Sequence, residues 1–288
     1  MARSTPVDGF SLVYDRTGSG RAVVLLHGWP GDRHDYRAVV RLIEAWADVV
    51  VPDLRGFGES DKHRQDPATA YSAAAQARSV IGLIGELNLA NPVVAGYDIG
   101  SRIAQTIAQT APERIGAIVI SPPVPGAGQR VLNADAEWEY WYQAFHHLEL
   151  ASELIDGDFR AVHAYLRHFW SHWSGPQFEP SETELVRLAQ RYAEPGAFTA
   201  SIGWYRAGSG TVARSLAEKM PDPGDRIGVN TLILWPEHDR LFPQAWSDRV
   251  SDFFSNASVQ YVSGVGHFVP VEAPRQFANA IQNVSGEQ

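Results

Sequence analysis

The stretch PVVAGYDIG, residues 92–100, joins two different hydrophobic patterns through a glycine-flanked turn. The apolar, β-branched run 92–95 predicts a buried strand, and residues 101–110 have the spacing of an amphipathic helix. A sharp turn between a strand and a helix presents the side chain of Asp98 above the sheet, facing the N–H groups of the helix start. By itself the pattern is also typical of an aspartate that caps a helix.

Strand patterns alternate with helix patterns over most of the chain. Because parallel strands are connected through helices, this alternation predicts an α/β fold with a mostly parallel sheet. The expected strands are residues 11–14, 22–26, 49–52, 92–95, 117–120, 231–234 and 259–262, and the expected helices are residues 36–47, 71–87, 101–110, 245–254 and 273–284.

The middle of the chain departs from this alternation. From about residue 125 to residue 220, aromatic and helix-forming residues dominate and no strand-like run occurs. Proline-rich connectors, residues 122–126 and 221–224, flank this stretch. We therefore expect residues 1–124 and 221–288 to form the core and residues 125–220 to form an inserted helical cap. Most of its aromatic side chains should pack as core, with the rest facing a buried pocket.

The composition excludes several classes of function. The 288 residues carry a net charge of -9 without a basic block, which argues against nucleic acid or an anionic membrane as partner. With no cysteine, a thiol nucleophile and a thiolate metal site are excluded. We see no metal-spaced cluster, no signal-like N-terminus and no run near the roughly 20 apolar residues of a membrane span. We expect a cytoplasmic protein without cofactor or metal, with a homodimer possible.

Two more chemistry-bearing residues follow predicted strands. Asp239 comes after the run 231–235, and His267 comes after the run 259–262. Catalytic groups gather at the carboxyl ends of parallel strands, so both should lie near Asp98. A carboxylate nucleophile forms an ester, and a histidine oriented by an acid can activate the water that hydrolyses it. Three alternatives stay open. Asp239 could be a loop cap, Glu237 could be the acid instead, and His267 could be an ordinary histidine.

The segment His27-Gly28-Trp29-Pro30 follows the predicted strand 22–26. Trp29-Pro30 is a candidate cis peptide bond. The backbone N–H groups of Trp29 and Ile99 together are a candidate oxyanion hole for the hydrolysis of an Asp98 ester. The loop 53–60 after the next strand is interpreted as structural.

These motifs together resemble the α/β-hydrolase superfamily, and within it the branch of epoxide hydrolases and haloalkane dehalogenases. The motifs that match are residues 27–30, 53–60, 96–100, Asp239 with Pro243, and Gly266-His267. The resemblance covers nearly the full chain. It implies an α/β-hydrolase fold with a mostly parallel, eight-stranded sheet flanked by helices and an inserted helical cap.

The resemblance also implies two cap tyrosines that hydrogen-bond an epoxide oxygen. Gly203-Trp204-Tyr205-Arg206 matches the motif of the second tyrosine. The first is Tyr140 or Tyr142, and the spacing to residues 152–154 favours Tyr140. The expected catalytic residues are Asp98, Asp239, His267, Tyr140 and Tyr205, and the expected substrate-binding residues are His27, Trp141, Tyr142 and Phe268.

The implied reaction converts a small apolar epoxide and water into a vicinal diol through an Asp98 ester. A dehalogenase with the same nucleophile is the alternative, although haloalkane dehalogenases place Trp and fluoroacetate-type enzymes place Arg where this chain has Ile99. Arg102 matches a second arginine of the latter group, and Tyr97 stands where the family often has His. A non-catalytic ligand-binding protein of the same fold is the second alternative.

Overall fold

The computed structural model describes residues 1–286, and this part of the chain contains one eight-stranded sheet. The strand order is β1-β2-β4-β3-β5-β6-β7-β8, with β2 antiparallel to both of its neighbours and the remaining pairs parallel. This confirms the predicted fold class. The strands are β1 (Ala2–Arg3), β2 (Val13–Gly18), β3 (Arg21–Leu26), β4 (Ala47–Pro52), β5 (Val93–Gly96), β6 (Ala117–Ile120), β7 (Asn230–Pro236) and β8 (Ala257–Val262).

The central strands are short runs of valine, leucine and isoleucine that are buried along almost their whole length. Continuous apolar runs are typical of parallel strands that are covered on both faces. In the register of the sheet, Gly96 at the end of β5 pairs with Leu26 of β3 and with Ile120 of β6. The loops that leave these three strands therefore begin side by side.

Helices connect the strands and pack against the sheet. None of those among residues 1–286 has the length and apolar character needed to cross a membrane. The helices are α1 (Arg37–Ile43), α2 (Pro67–Ala70), α3 (Ala73–Glu86), α4 (Ile99–Thr110), α5 (Ala134–Glu139), α6 (Trp141–His147), α7 (Glu149–Ile155), α8 (Phe159–Trp173), α9 (Glu182–Tyr192), α10 (Ala197–Ser201), α11 (Gly203–Arg206), α12 (Thr211–Leu216), α13 (Val250–Phe253), α14 (Val269–Glu272) and α15 (Pro274–Ser285).

The boundaries differ from the sequence prediction at a few places. The predicted helix 36–47 is shorter, because Ala47 already pairs with Arg21 as the first residue of β4. The first predicted strand, 11–14, is shifted toward the C-terminus as β2, and the two-residue β1 is too short to leave a pattern. Residues 244–249 form a 3₁₀ turn before α13 rather than one continuous helix.

Residues 125–220, between β6 and β7, hold the helices α5 to α12 and no strand. We refer to this stretch as the helical segment; the exact division between core and cap remains a prediction. It is tied to the loop after β3 by three side chains. The indole N–H of Trp170 donates to the Pro30 carbonyl at 2.8 Å, and the Tyr192 hydroxyl donates to that of Gly31 at 2.9 Å. Arg187 forms a two-pronged ion pair with the buried Asp32.

Candidate active site

The turn between β5 and α4 holds Asp98 in an unusual backbone conformation. Its φ and ψ are 50° and −120°, a region that costs a non-glycine residue roughly 1–3 kcal/mol. The N–H of Asp98 donates to the Pro122 carbonyl at 3.1 Å. Gly100 lets α4 approach β3 closely, since a Cβ there would lie 1.9 Å from the Leu26 carbonyl oxygen. Packing on both sides of the turn therefore keeps the strained residue in place.

The Asp98 carboxylate meets groups from two other loops. Its Oδ1 accepts a hydrogen bond of 2.7 Å from the backbone N–H of Trp29, and the Trp29-Pro30 bond is cis as predicted. Because α4 begins at Ile99, the Ile99 N–H is one of the first helical donors, which have no acceptor within their own helix. The two N–H groups of the predicted oxyanion hole thus belong to residues next to this carboxylate.

His267 and Asp239 lie together beside Asp98. Nδ1 of His267 is 3.0 Å from Oδ2 of Asp239, and both side chains are fully buried. The other Asp239 oxygen accepts from the N–H of Leu241 at 2.8 Å, which fixes the carboxylate. Glu237 instead accepts from the Gly264 N–H. Between the two candidate acids, Asp239 is thus the one that contacts the histidine.

The second nitrogen of His267, Nε2, is 3.4 Å from Oδ2 of Asp98 but has no well-aligned hydrogen-bond partner among the described residues. Burial by itself lowers the pKa of His267. The carboxylates of Asp239 and Asp98 outweigh burial and raise this pKa to about 10. With Asp98 ionised, His267 therefore carries a proton at neutral pH, and loss of the Asp98 charge would lower its pKa.

Tyr97, which stands where the family often has His, has its own partner. Its hydroxyl donates to Oδ2 of Asp35 at 2.7 Å. Its ring lies edge-on to the imidazole of His267, with 6.2 Å between the ring centres. Burial, and then the charge of Asp32, raise the pKa of Asp35 well above its usual value. The hydrogen bond to the buried Asp35 carboxyl group therefore fixes Tyr97, the residue before Asp98 in the turn.

Two tyrosines of the helical segment face each other across the site. The rings of Tyr142 and Tyr205 have centres 5.5 Å apart and are nearly perpendicular. The indole ring of Trp29 lies against both, at 5.7 Å and 5.8 Å between ring centres. Burial above all, with a contribution from the charge of Asp98, raises the pKa of both hydroxyls. Both tyrosines therefore stay protonated and can donate hydrogen bonds.

Gln143 fixes one of the two hydroxyls. Its side-chain N–H donates to the Tyr142 hydroxyl oxygen at 3.0 Å, while its Oε1 accepts from the Val212 N–H at 3.1 Å. The backbone donor determines which end of the amide is the oxygen. The hydrogen of the Tyr142 hydroxyl is therefore directed away from Gln143.

The structure places Tyr142 beside Tyr205, whereas the sequence analysis favoured Tyr140 as the first cap tyrosine. The hydroxyl of Tyr140 donates to the carbonyl of Leu241 instead, in the loop after Asp239. Tyr140 lies between the two helices, since α5 ends at Glu139 and α6 begins at Trp141.

Three of the four predicted substrate-binding residues make contacts with other parts of the protein. His27 is buried, with Nδ1 2.9 Å from the Gly28 carbonyl oxygen and Nε2 accepting from the Leu54 N–H at 3.1 Å. Phe268 is buried and stacks on Trp170 at 3.9 Å. Trp141 is 43% exposed and stacks on Phe169. The fourth residue, Tyr142, lies beside Tyr205 as described.

Several aromatic residues near the site were not singled out from the sequence. Trp173 lies 5.4 Å from the ring of His267 and 5.1 Å from that of Tyr142. His146 lies 4.7 Å from the ring of Tyr205, and burial lowers its pKa so that it is neutral. The spacing of Tyr165, Phe169 and Trp173 at every fourth position was the available signal, since such residues share one helix face. Among residues 1–286, no cluster of three or more histidine or acidic side chains is arranged to hold a metal ion.

The family model of the alpha/beta hydrolase fold matches residues 21–274. The chain belongs to this family. A soluble epoxide hydrolase of Corynebacterium sp. (strain C12) is 28% identical over 280 residues, which span 93% of this α/β-hydrolase and 91% of that protein. A fluoroacetate dehalogenase of Burkholderia sp is 29% identical over 201 residues, 68% of this chain and 64% of that protein.

Solved structures show the same fold. An epoxide hydrolase found in metagenomes from hot environments superposes on this α/β-hydrolase with a TM-score of 0.83 at 21% identity, over 100% of this chain and 98% of that one. At this identity the likeness concerns the fold. Together with the family assignment, the relatives support a hydrolase.

Proposed function

We propose that this α/β-hydrolase is an epoxide hydrolase that converts an apolar epoxide into a vicinal diol. The observation that carries the proposal is the position of Trp29. Its N–H donates to the Asp98 carboxylate, and its ring lies against both Tyr142 and Tyr205. The Asp98 carboxylate and the two neutral tyrosines therefore lie around the same tryptophan. Opening an epoxide requires such a set: one nucleophile and a proton donor for the ring oxygen.

In the first step, a carboxylate oxygen of Asp98 attacks a carbon of the epoxide ring. A C–O bond forms to Asp98 while the ring C–O bond breaks, and the departing oxygen takes a proton from one of the two tyrosines. The raised pKa of Tyr142 and Tyr205 keeps both protonated until that moment. The product is a hydroxyalkyl ester. A serine in the same place would leave an ether, which water does not readily cleave.

In the second step, water hydrolyses the ester at the carboxyl carbon of Asp98. Esterification removes the negative charge of Asp98, one of the two carboxylates that raise the pKa of His267. The protonated His267 therefore gives its proton to the tyrosinate that ring opening left behind, and the neutral imidazole, oriented by Asp239, then accepts a proton from the attacking water. The N–H groups of Trp29 and Ile99 stabilise the oxyanion. Collapse passes the hydroxyl proton of the intermediate to the leaving alkoxide, which releases the diol, restores the Asp98 carboxylate and leaves His267 protonated as in the resting state.

Dehalogenation by the same carboxylate is the second candidate, because of the similarity to the fluoroacetate dehalogenase. Three features argue for the epoxide. The residue after the nucleophile, Ile99, has no polar side chain to bind a halide or a carboxylate. The guanidinium of Arg102 donates to the Val124 carbonyl. The tyrosine pair, in contrast, offers two hydrogen-bond donors to an epoxide oxygen.

Intact-protein mass spectrometry of His267→Gln tests the proposal. The variant keeps the nucleophile but lacks the base, so ester should accumulate during incubation with epoxides, haloalkanes and haloacids. Addition of the whole epoxide mass at Asp98 is the expected result. His63→Gln, at a 46% exposed side chain, is the matched control and should show no adduct.

An adduct that lacks the halogen of a haloalkane or haloacid, without any epoxide adduct, would move the assignment to a dehalogenase. The double variant Asp98→Ala, His267→Gln should form no adduct at all. Adduct formation in the double variant would place the covalent bond on another residue. No adduct from any compound in His267→Gln would contradict the covalent mechanism.

A further inference from the structure

A cavity of about 180 Å³ lies where the helical segment joins the core. Its wall comes from α4, from α12 and from both proline-rich connectors, through Pro125 and Pro221. Glu218 ties the two ends of the helical segment together, because its Oε2 accepts from the Gly126 N–H at 2.8 Å. The reactive side chains of the candidate active site lie outside this wall: Asp98, Tyr142, Tyr205 and His267.

Arg102, near the start of α4, lines this cavity with incomplete bonding. Its Nε is buried without a hydrogen-bond partner, and no carboxylate of residues 1–286 forms an ion pair with its guanidinium. Its Nη2 donates a long hydrogen bond of 3.4 Å to the Val124 carbonyl. Buried charges normally have a counter-charge and a full set of hydrogen bonds. An anion in the cavity would supply both to Arg102.

The charged side chains around the cavity are mostly basic. Arg214 and Lys219 line it together with Arg102, and Glu218 is the one acidic side chain among the described residues of its wall. Burial, and then the charge of Arg214, lower the pKa of Arg102 to about 10, so that Arg102 is still a cation at neutral pH. Three basic side chains thus face one acidic side chain, and a doubly charged anion would balance them.

We propose that this cavity binds a phosphate group between Arg102 of the core and Arg214 of the helical segment. Phosphate carries close to two negative charges at neutral pH, and arginine binds its oxygens through paired N–H donors. The cavity is smaller than the roughly 300–1,000 Å³ of sites for drug-sized molecules, so it fits an ion or a single phosphate group. Bound phosphate would connect the core to the helical segment beside the connectors.

This role differs from that of the matching arginine in fluoroacetate-type enzymes, which binds the carboxylate of the substrate. A substrate carboxylate has to lie beside the nucleophile, whereas Asp98 is outside the wall of this cavity. The phosphate site is therefore separate from the reaction, and it does not depend on the proposed function.

Isothermal titration calorimetry of the full chain with inorganic phosphate tests the site. We expect saturable binding of one phosphate per chain. Arg214→Gln should weaken this binding by roughly tenfold or more, because a charged hydrogen-bond donor is lost. Arg167→Gln is the matched control, since it removes the same charge from an exposed position on α8 outside the cavity wall. It should change the affinity less than about twofold.

Thermal unfolding provides a second measurement, because a ligand that binds the folded chain raises Tm. Phosphate should raise the Tm of the parent protein more than sodium chloride of equal ionic strength does. This difference should disappear in Arg102→Gln and persist in Arg167→Gln. An equal rise with both salts in the parent protein would mean general screening of charges and would overturn the site.

No saturable binding of phosphate to the parent protein would also overturn it. Unchanged affinity in Arg214→Gln, or binding of acetate as tight as that of phosphate, would contradict the charge argument and have the same consequence. Glycerol 3-phosphate distinguishes the source of the group. Tighter binding than that of inorganic phosphate would support a site for an organic phosphate ester, and weaker binding would support a site for the free ion.

Discussion

The loops at the strand ends and the helical segment contribute to the candidate site in different ways. In the loops, backbone groups position the reactive side chains: the Trp29 N–H contacts Asp98, and the Leu241 N–H contacts Asp239. In the helical segment, ring packing positions Tyr142 and Tyr205, with Gln143 fixing one hydroxyl. The core therefore supplies the acid–base groups, and the helical segment supplies an aromatic enclosure with two donors.

This difference has a consequence for substitution. A group that is fixed by backbone hydrogen bonds tolerates changes in the surrounding packing, because the sheet determines its place. A group that is fixed by ring contacts depends on each neighbouring ring. Replacing a reactive side chain of the core should therefore abolish chemistry, whereas packing changes around it should have little effect. Changes in the helical segment should alter rates and selectivity by degrees.

The largest effect is expected at Asp98. In Asp98→Ala the nucleophile is absent, and we expect turnover of the best epoxide to fall by about 10,000-fold or more. Steady-state diol formation is the measurement. The variant should keep its fold, because a smaller side chain at the turn leaves the Pro122 and Gly100 contacts of the backbone intact. Diol formation at the parental rate would contradict an Asp98 ester.

A smaller effect is expected for the tyrosines, where the two candidates can be separated. Tyr142→Phe removes a donor from the epoxide oxygen and should slow ring opening by about 100-fold, measured as the rate of ester formation in single-turnover experiments. Tyr140→Phe removes only the hydrogen bond to the Leu241 carbonyl. It should change the rate less than about threefold and cost about 1 kcal/mol of stability.

Tyr205→Phe is the reference for both variants and should resemble Tyr142→Phe. If ester formation were slow in Tyr140→Phe and normal in Tyr142→Phe, the sequence-based choice of Tyr140 would be restored. Equal slowing of ring opening and of ester hydrolysis in Tyr142→Phe would contradict its role as a donor to the epoxide.

The sequence predicted the strands of the sheet and the catalytic loops well, because both depend on local sequence patterns. The strands β3, β5, β6 and β7 are apolar runs between turn residues, and Asp98, Asp239 and His267 follow strands, so their common edge was predictable. The number of strands came from the resemblance, and the strand order was not predicted. β1 was missed because two residues leave no periodicity.

The helical segment was less predictable because its helices are short and their faces depend on where each one ends. Tyr142, in α6, lies beside Tyr205, whereas Tyr140, between α5 and α6, donates to the Leu241 carbonyl. His27 and Phe268 were placed at the substrate because they adjoin site motifs, yet both are buried in other contacts. Neighbours in sequence on a strand or loop point in different directions, so adjacency alone does not identify a lining residue.

Another expected effect is on the pH dependence of stability, and its sign differs between His267 in the core and His146 in the helical segment. The folded-state pKa of His267 is raised from 6.5 to about 10. Its contribution to stability is therefore fully present below pH 6.5 and is lost as the pH rises through 10. The folded-state pKa of His146 is well below 6.5, because burial opposes its charge. The unfolded chain then binds the extra proton, so this residue lowers stability as the pH falls below 6.5.

Urea unfolding of the parent protein, His267→Gln and His146→Gln between pH 5 and pH 10 measures both contributions. The stability advantage of the parent over His267→Gln should shrink as the pH rises from 6.5 to 10, and its advantage over His146→Gln should shrink as the pH falls from 6.5 to 5. One proton can contribute at most about 1.4 kcal/mol per pH unit. The same sign for both variants would mean that His146 is charged in the fold, and the aromatic enclosure around Tyr205 would then be more polar than its packing indicates.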